Sequence, residues 1–578
     1  MDSFLPDVLI GRLGKAAEQV RPGPHAWDGS YTSLELTWRG TSLRIESAHA
    51  GDDLVLLVTP LASQPKSYLP PTLIFSVNFL WNRPGSVVRI STGIEAHGPM
   101  GTVPIFCVAS NEINNTHSTC PDIDVNTPVT GPFLAADVTG PVAISTGHAR
   151  TLAQIQSIVD QQHHAYQHVL EAAGPSAPLV EAIQAAIAWN TIYEPEEHRV
   201  ITPVARGWSN GWGGYVLFDW DTFFAASLSA VGSRDLAYAN ALEILRSETP
   251  AGFVPNFARG GGWKSFDRSE PPVGAITVLS LYQKFHDRWF IADAFVPLLR
   301  WNRWWSEHRS IDGYLTWGSD DENRPENIDD SSIGKRDGAV LESGLDNSPM
   351  YDGATYNSQT HQLEFADVGL MGMYIADCDA LATMAEALGK TGEAAELRDR
   401  SRRYRSKLAT LWSEKDGIFL NKDLHTGEFS HRLSPTNFYP LLGEAATQQQ
   451  ADRMIREHLL NTNEFWGQYV LPSIARNDPA FKDQKYWRGR IWGPLNYLVY
   501  LGLRKYASRQ VTDEFAQKSN ELFQQVWTAN RHVHENYNAN TGLADEVDSS
   551  DRFYHWGALL ELIPYMQQTE PPKSGTAK

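Results

Sequence analysis

The sequence predicts a mostly α protein, an (α/α)6 barrel preceded by an antiparallel β-sandwich. Three observations carry this. Short alternating segments give way to helical periodicity near Arg150. The helical segments then come in pairs joined by tight turns. The longer connections between pairs are rich in Gly, Trp, Asn and Asp, as expected where a rigid scaffold displays functional loops.

The strand-rich part comes first. SLELTWRG (33–40), SLRIESA (42–48), DLVLLVTPL (53–61), LIFSVNFLW (73–81), SVVRIST (86–92) and VAISTG (142–147) are short runs punctuated by Gly, Pro, Asn and Asp. Runs of this length and spacing predict antiparallel strands of a sandwich over 1–149. ARTLAQIQSIVDQQHHAYQHVLEAAG follows and predicts a helical linker over 150–178.

From 179 to 578 the helical pattern continues. Segments at 179–194, 221–232, 234–248, 274–287, 290–308, 366–389, 391–414, 446–460, 496–508, 511–529 and 553–566 carry it, with a short one near 434–443. That makes about eleven or twelve helices with almost no strand signal, enough for six hairpins in a toroid.

Composition narrows the function. A net charge of −19 and a pI near 5.4 disfavour a nucleic-acid partner or an anionic membrane surface, both of which need a basic footprint. The three cysteines, Cys107, Cys120 and Cys378, make a poor disulfide scaffold. Cys107 with Cys120 is the conceivable pair, and Cys378 reads as a buried thiol. The N-terminus lacks the apolar core of a secretory leader, no run of 18 apolar residues reads as a membrane span, and cytoplasmic location is the expectation. Asn114-Asn115-Thr116 is a lone glycosylation sequon.

The chain carries 19 Trp, many in polar, Gly-rich contexts where a ring is free to stack on a sugar face. A large core also consumes aromatics, so this reading needs support from the loops. Four loops supply it. GWSNGWGGYVLFDWDTFF (207–224) runs into a helix through Asp219 and Asp221. GFVPNFARGGGWKSFDRSEPPVGA (252–275) brings Trp263, Lys264 and Arg268. ESGLDNSPMYDG (342–353) holds Glu342, Asp346 and Asp352. HVHENYNANTGLADE (532–546) holds Glu535. Each carboxylate has a plain alternative as an N-cap or a solvated surface charge. Phosphate-loop and zinc-protease motifs are absent from the sequence. Asp320, Asp321, Asp329 and Asp330 form an acidic loop; a structural calcium is conceivable there, but solvated charge is the simpler reading, and no metal or cofactor is expected. Carboxylates with aromatics remain. Glycosidic hydrolysis needs two carboxyl groups and stacking walls, so a small carbohydrate is the expected partner.

The motifs are more specific together. ESGLDNSP (342–349) resembles the E-S-G-x-D-x-S segment of glycoside hydrolase family 63 and trehalase-like enzymes. FDWDTFF (218–224), GFVPNF (252–257), RSEPP (268–272), YWRGRIWGPLNYL (486–498), HENYNANTG (534–542) and FYHWGALL (553–560) resemble further segments, in the family's order. The resemblance implies an (α/α)6 barrel and an inverting, exo-acting α-glycosidase, with an α-glucoside as the leading substrate. Asp346 matches the general acid and Glu535 the general base. The acid must hold a proton near neutral pH, with Glu342 or Asp352 as the charge that raises it, and the base must stay ionised. An inverting pair stands roughly 6.5–9.5 Å apart. Trp212, Trp220, Trp263, Trp487 and Trp492 are expected as subsite walls, and Asp221, Arg488 and Gln468 as grips on sugar hydroxyls.

Glu270 departs from the resemblance, standing where the family often has Gln; an extra carboxylate there bears on the aglycone. A small glucosyl- or mannosyl-conjugate such as glucosylglycerate is the alternative substrate, favoured by a cationic grip near Lys264, Arg259 or Arg268. Lyases and phosphorylases also use α/α toroids, and a non-catalytic sugar-binding protein is the third reading.

Overall fold

The computed structural model describes residues 18–38, 41–61, 72–77, 79, 84–109, 113–114, 132–195, 197–212, 214–320, 330–544 and 549–570. Cys120, Asp321, Asp329 and the sequon residues Asn115 and Thr116 lie outside them. By backbone contacts the chain forms two units. The first holds residues up to Trp189 with Ser209–Gly214 and Asn530–His532; the second holds the remainder.

The first unit is built on an eight-stranded sheet with every neighbouring pair antiparallel. Alternation explains its two faces. Ile45 pairs with Val58 and Ala48 with Val55 across one ladder. The first pair packs with Leu36, Leu43 and Val142 under a smaller three-stranded sheet, through Ala136, Leu73 and Phe75. The second pair turns to the opposite face. There Ile155, Val159 and Tyr166 of the helix Leu152–Ala172 cover it. A period-2 pattern buried on both faces needs a cover on each side. The helix expected as a linker is therefore part of this unit's core. The helix Ala177–Ala188 also belongs to the first unit, so the boundary falls beyond the expected residue 178.

The second unit is mostly helical. Among the described residues the chain has fifteen α-helices, thirteen of them after Trp189. The expected segments recur as Asp219–Ser229, Arg234–Arg246, Gly274–Phe285, Arg288–His308, Val368–Leu388, Thr391–Leu408, Gly493–Tyr506, Arg509–Asn530 and Leu559–Thr569. The segment expected at 446–460 changes pitch midway, from an α-helix over Gln448–Arg453 to a π-helix over Met454–Leu459.

Val368–Leu388 is a long, largely buried helix of this unit. Asp367 caps its start by accepting the Leu370 N–H at 2.8 Å, and Gly389 in the left-handed region ends it. It packs against Gly274–Phe285, Arg288–His308, Thr391–Leu408 and Tyr439–Leu442. Its length and composition would let it cross a membrane, yet 83% of its most apolar window is buried inside the fold. Cys378 lies buried in it, as expected. Between helices, strands of two or three residues brace the loops. One set, Val216–Phe218, Phe257–Arg259 and Trp263–Lys264, leads directly into Asp219.

Candidate active site

Asp346 follows the helix Arg336–Glu342 on a sharp turn. Gly344 makes that turn with φ +69°, and a Cβ there would meet Trp220 at 2.7 Å. Only glycine satisfies both demands, so the loop rests directly on the ring of the D-W-D helix. The next residue, Asn347, accepts the Trp487 N–H at 2.9 Å through its side-chain oxygen. Asp346 is thus fixed between two other loops. Its side chain is exposed, yet protein crowds around the carboxyl, and that crowding lifts it to about 6 against the opposing pull of Arg268. The carboxyl is thus both crowded by protein and open to water.

Glu535 is buried on a loop held to the chain beyond it. Its backbone N–H reaches Asp551 O at 2.9 Å, the Asp551 N–H reaches its Oε2 at 3.2 Å, and Trp556 Nε1 donates to its carbonyl at 2.9 Å. Tyr486 donates its phenolic hydrogen to Glu535 Oε1 at 3.0 Å. Tyr486 holds φ at +54°, a conformation a bulky residue rarely adopts. Burial, with the charges of Asp551 and Asp346, pushes Glu535 up to about 8. This departs from the expected ionised carboxylate, because the side chain is only 3% exposed and has carboxylates for neighbours.

Asp221 joins the same cluster. It is 1% exposed, accepts the Tyr554 hydroxyl at 2.8 Å, and is lifted to about 8 by burial and by Asp346. Two further carboxyls lie beside it. Glu270 accepts the Trp220 N–H at 3.3 Å and the Asn256 amide at 2.7 Å; burial first, then Asp221, Asp219 and Asp346, raise it well above the usual range. Asp219 is raised likewise by burial and Asp221. The half-buried rings of Trp208 and Phe218 meet edge to face at 5.6 Å, and Trp208 also touches Tyr554.

Several expectations are corrected. Glu342 does not tune Asp346. It is fully buried, bonded to Arg309 Nε at 2.7 Å, and it accepts the Ser269 and Gly318 N–H groups at 3.0 and 2.6 Å. Its charge is matched locally, and it braces the segment that carries Glu270. Asp352 points to Arg432 and Arg488, at 2.8 and 3.1 Å. Burial, not either of these charges, raises Asp346.

Trp220, Trp487 and Trp492 are at most 2% exposed. Trp487 and Trp492 stack at 3.5 Å, with Trp220 and Trp556 packed around them. They form a buried aromatic floor rather than open walls. Trp263 stays half-buried on its hairpin beneath the Arg259 guanidinium, at 5.2 Å. Trp212 falls in the first unit. Arg488 pairs with Asp352 and Asp483 close to Asn347. Gln468 is exposed, and its carbonyl accepts the Lys518 ammonium, a contact with the helix Arg509–Asn530 rather than with the cluster. Asp320 pairs with Arg309 and Asp330 with Arg268; among the described residues no group of three His, Cys, Asp or Glu could hold a metal ion.

Tyr486, Asp551, Tyr554 and Trp208 escaped sequence reasoning, and Asp219 was noted in its loop but given no role. Asp219 and Tyr486 stood beside motif residues already singled out, and the doubled acid of F-D-W-D was the one available signal.

Comparison with known proteins gives the chain's fold and family. The mannosylglycerate hydrolase MGH1 of Selaginella moellendorffii is 24% identical over 378 residues, covering 54% of this chain and 76% of that protein. The family 63 mannosylglycerate hydrolase of Thermus thermophilus, solved with Tris and D-glycerate, superposes with a TM-score of 0.53 at 20% identity, over 67% of this chain and 99% of that one. The neutral trehalase of Saccharomyces cerevisiae superposes at 0.51 with 15% identity, over 68% and 80%. These superpositions speak to the fold alone. Residues 214–557 match the mannosylglycerate hydrolase MGH1-like glycoside hydrolase domain, and on that match the chain belongs to glycoside hydrolase family 63 and is a glycoside hydrolase.

Proposed function

We propose that this chain is an inverting, exo-acting α-glycosidase on an (α/α)6 scaffold, releasing a terminal α-linked glucose or mannose from a small conjugate. One observation carries the reading. Asp346 and Glu535 come from loops far apart in sequence, yet the charge of Asp346 reaches Glu535, and Tyr486, hydrogen-bonded to Glu535 at 3.0 Å, feels both.

Asp346, open to solvent, gives its proton to the leaving glycosidic oxygen. Glu535, aimed by Tyr486, takes a proton from the water that attacks the opposite face of the sugar. The turnover leaves Asp346 ionised and Glu535 protonated, and exchange with solvent restores the pair. The productive form carries its proton on Asp346 and leaves Glu535 ionised. Trp208, Phe218 and Trp263 are the aromatic surfaces left to face a sugar. This chemistry needs no metal. The names of the relatives support a small glycosyl conjugate over a long glycan.

Proton NMR of the first sugar released from an α-glycoside should show the β-anomer; an α-anomer refutes inversion. Asp346→Asn and Glu535→Gln should each lower kcat by about 10² or more with an unchanged melting curve. Near-normal turnover in either variant removes that residue from the mechanism.

A further inference from the structure

The proposed acid and base are linked through a side chain whose hydrogen bonds go to neither carboxyl. Asn347 directly follows Asp346. Its Oδ1 accepts the Trp487 N–H at 2.9 Å, and its Nδ2 donates to the Lys485 carbonyl at 3.4 Å. Those two groups belong to the two peptides on either side of Tyr486. Tyr486 in turn donates to Glu535 Oε1 at 3.0 Å.

The backbone here is a tight turn. The Lys485 N–H meets the Arg488 carbonyl at 3.2 Å, and the Arg488 N–H meets the Lys485 carbonyl at 3.0 Å. Tyr486 takes the first of the two central positions at φ +54°, where such turns ordinarily place glycine. A bulky residue at that φ is strained and stays there only while its surroundings over-determine it. The turn's own pair of bonds leaves the Trp487 N–H and the second lone pair of the Lys485 carbonyl to be met from outside. The Asn347 amide offers one acceptor and one donor, as that pair requires. A carboxylate would set an oxygen against the Lys485 carbonyl, and an alkyl chain would meet neither group. Holding both flanking peptides fixes φ and ψ of the residue between them. Arg488 braces the end of the turn through Asp352 and Asp483, and Trp492 Nε1 holds the Tyr486 carbonyl at 3.2 Å; Asn347 is the side chain that spans Tyr486 on both sides.

We propose that Asn347 is a positioning residue for the base: by pinning both peptides of Tyr486 it keeps the phenol on Glu535, so the loop that carries the acid also sets the base. The proposal rests on the glycosidase reading above and adds to it a residue that acts through another.

The test uses the full chain and whichever of α-glucosylglycerate, α-mannosylglycerate and an α-linked glucose disaccharide it cleaves fastest. The titratable groups around Glu535 are Asp346, Asp551, Tyr486 and Tyr554, with Asp221 beyond the phenol; Asn347→Ala alters none of them. Weakening the phenol's bond raises the base, so Asn347→Ala should lower kcat about tenfold with KM within about twofold, and move the basic limb of kcat/KM up by about one pH unit. The decisive arm places Asn347→Ala in a Tyr486→Phe background. A residue that acts through the phenol has little left to do once the phenol is gone. There the added substitution should change kcat by less than about twofold and the limb by less than about 0.3 units. A residue that merely shores up its loop would give the same loss in both backgrounds.

Equal losses in the two backgrounds overturn the proposal. So does an Asn347→Ala protein whose kcat and limb match those of the unaltered chain. Should that variant lose its cooperative melting transition, Asn347→Gln, with the amide one methylene further out, carries the same two comparisons. Asp346→Asn and Glu535→Gln are the controls. Near-normal turnover in either refutes the assignment of acid and base, and the proposal falls with it; inactive controls together with equal losses refute the role of Asn347 alone.

Discussion

Tyr486→Phe isolates one hydrogen bond at the proposed base. The phenol donates to Glu535 Oε1 at 3.0 Å and opposes the burial that lifts this carboxyl to about 8. The Asp551 N–H on Oε2 remains in the variant. A hydrogen bond to a charged group contributes about 1.5–3 kcal/mol, and one pH unit corresponds to about 1.4 kcal/mol. Losing the phenol destabilises the ionised form, so the pKa of the base rises by about one to two units. Activity requires that form. With Asp346 at about 6 and Glu535 at about 8, the limb of kcat/KM against pH that reports Glu535 is the basic one. It should move to higher pH by about that amount while the plateau falls, with the ring still packed against Trp487 and Trp492. The assay is release of free sugar from the best conjugate across buffers of constant ionic strength, with circular dichroism as a check on folding. A limb that stays within about 0.3 units, or moves to lower pH, refutes the coupling of Tyr486 to the base.

Two predictions concern stability. Glu561 is fully buried and lifted to about 8, chiefly by burial, with Gln524 as a donor. A carboxyl raised above its unfolded value supports the fold below that value and loses its contribution as pH climbs through 8, so Glu561→Gln should raise the apparent Tm at pH 8.5 while changing little at pH 5. An equal effect at both pH values would contradict this. Arg309→Met leaves Glu342 buried without its cation and should cost about 3–5 kcal/mol, read as an earlier melting transition; a melting curve within a degree or so of the unaltered protein would show that the Ser269 and Gly318 N–H groups suffice alone.

The helices were legible because periodicity is local. Val368–Leu388 lies within two residues of its predicted ends, while Thr391–Leu408 starts where predicted but stops six residues before its predicted end. The linker helix was misread because its apolar residues, Ile155 and Val159, needed a sheet to pack on, and only tertiary structure shows which sheet. Asp346 and Glu535 stood out through ordered motifs. The Trp residues of those same motifs could not be sorted from sequence, since a stacking ring and a core ring look alike until burial is known. Glu342 misled for a similar reason: its partner, Arg309, lies in a different segment, and a carboxylate's charge means little until its counterion is found.

The contact between Gly344 and Trp220 has a consequence for how such a site can change. A floor in which one added methyl group collides with an indole at 2.7 Å has no slack for a new substrate. The far end of the same loop is different. A Cβ at Gly353 would meet nothing within 4 Å, and its φ lies outside the left-handed region. Diversification among descendants of this chain is thus channelled to the rim, where side chains can grow into open space, while the chemistry below is inherited as a rigid block.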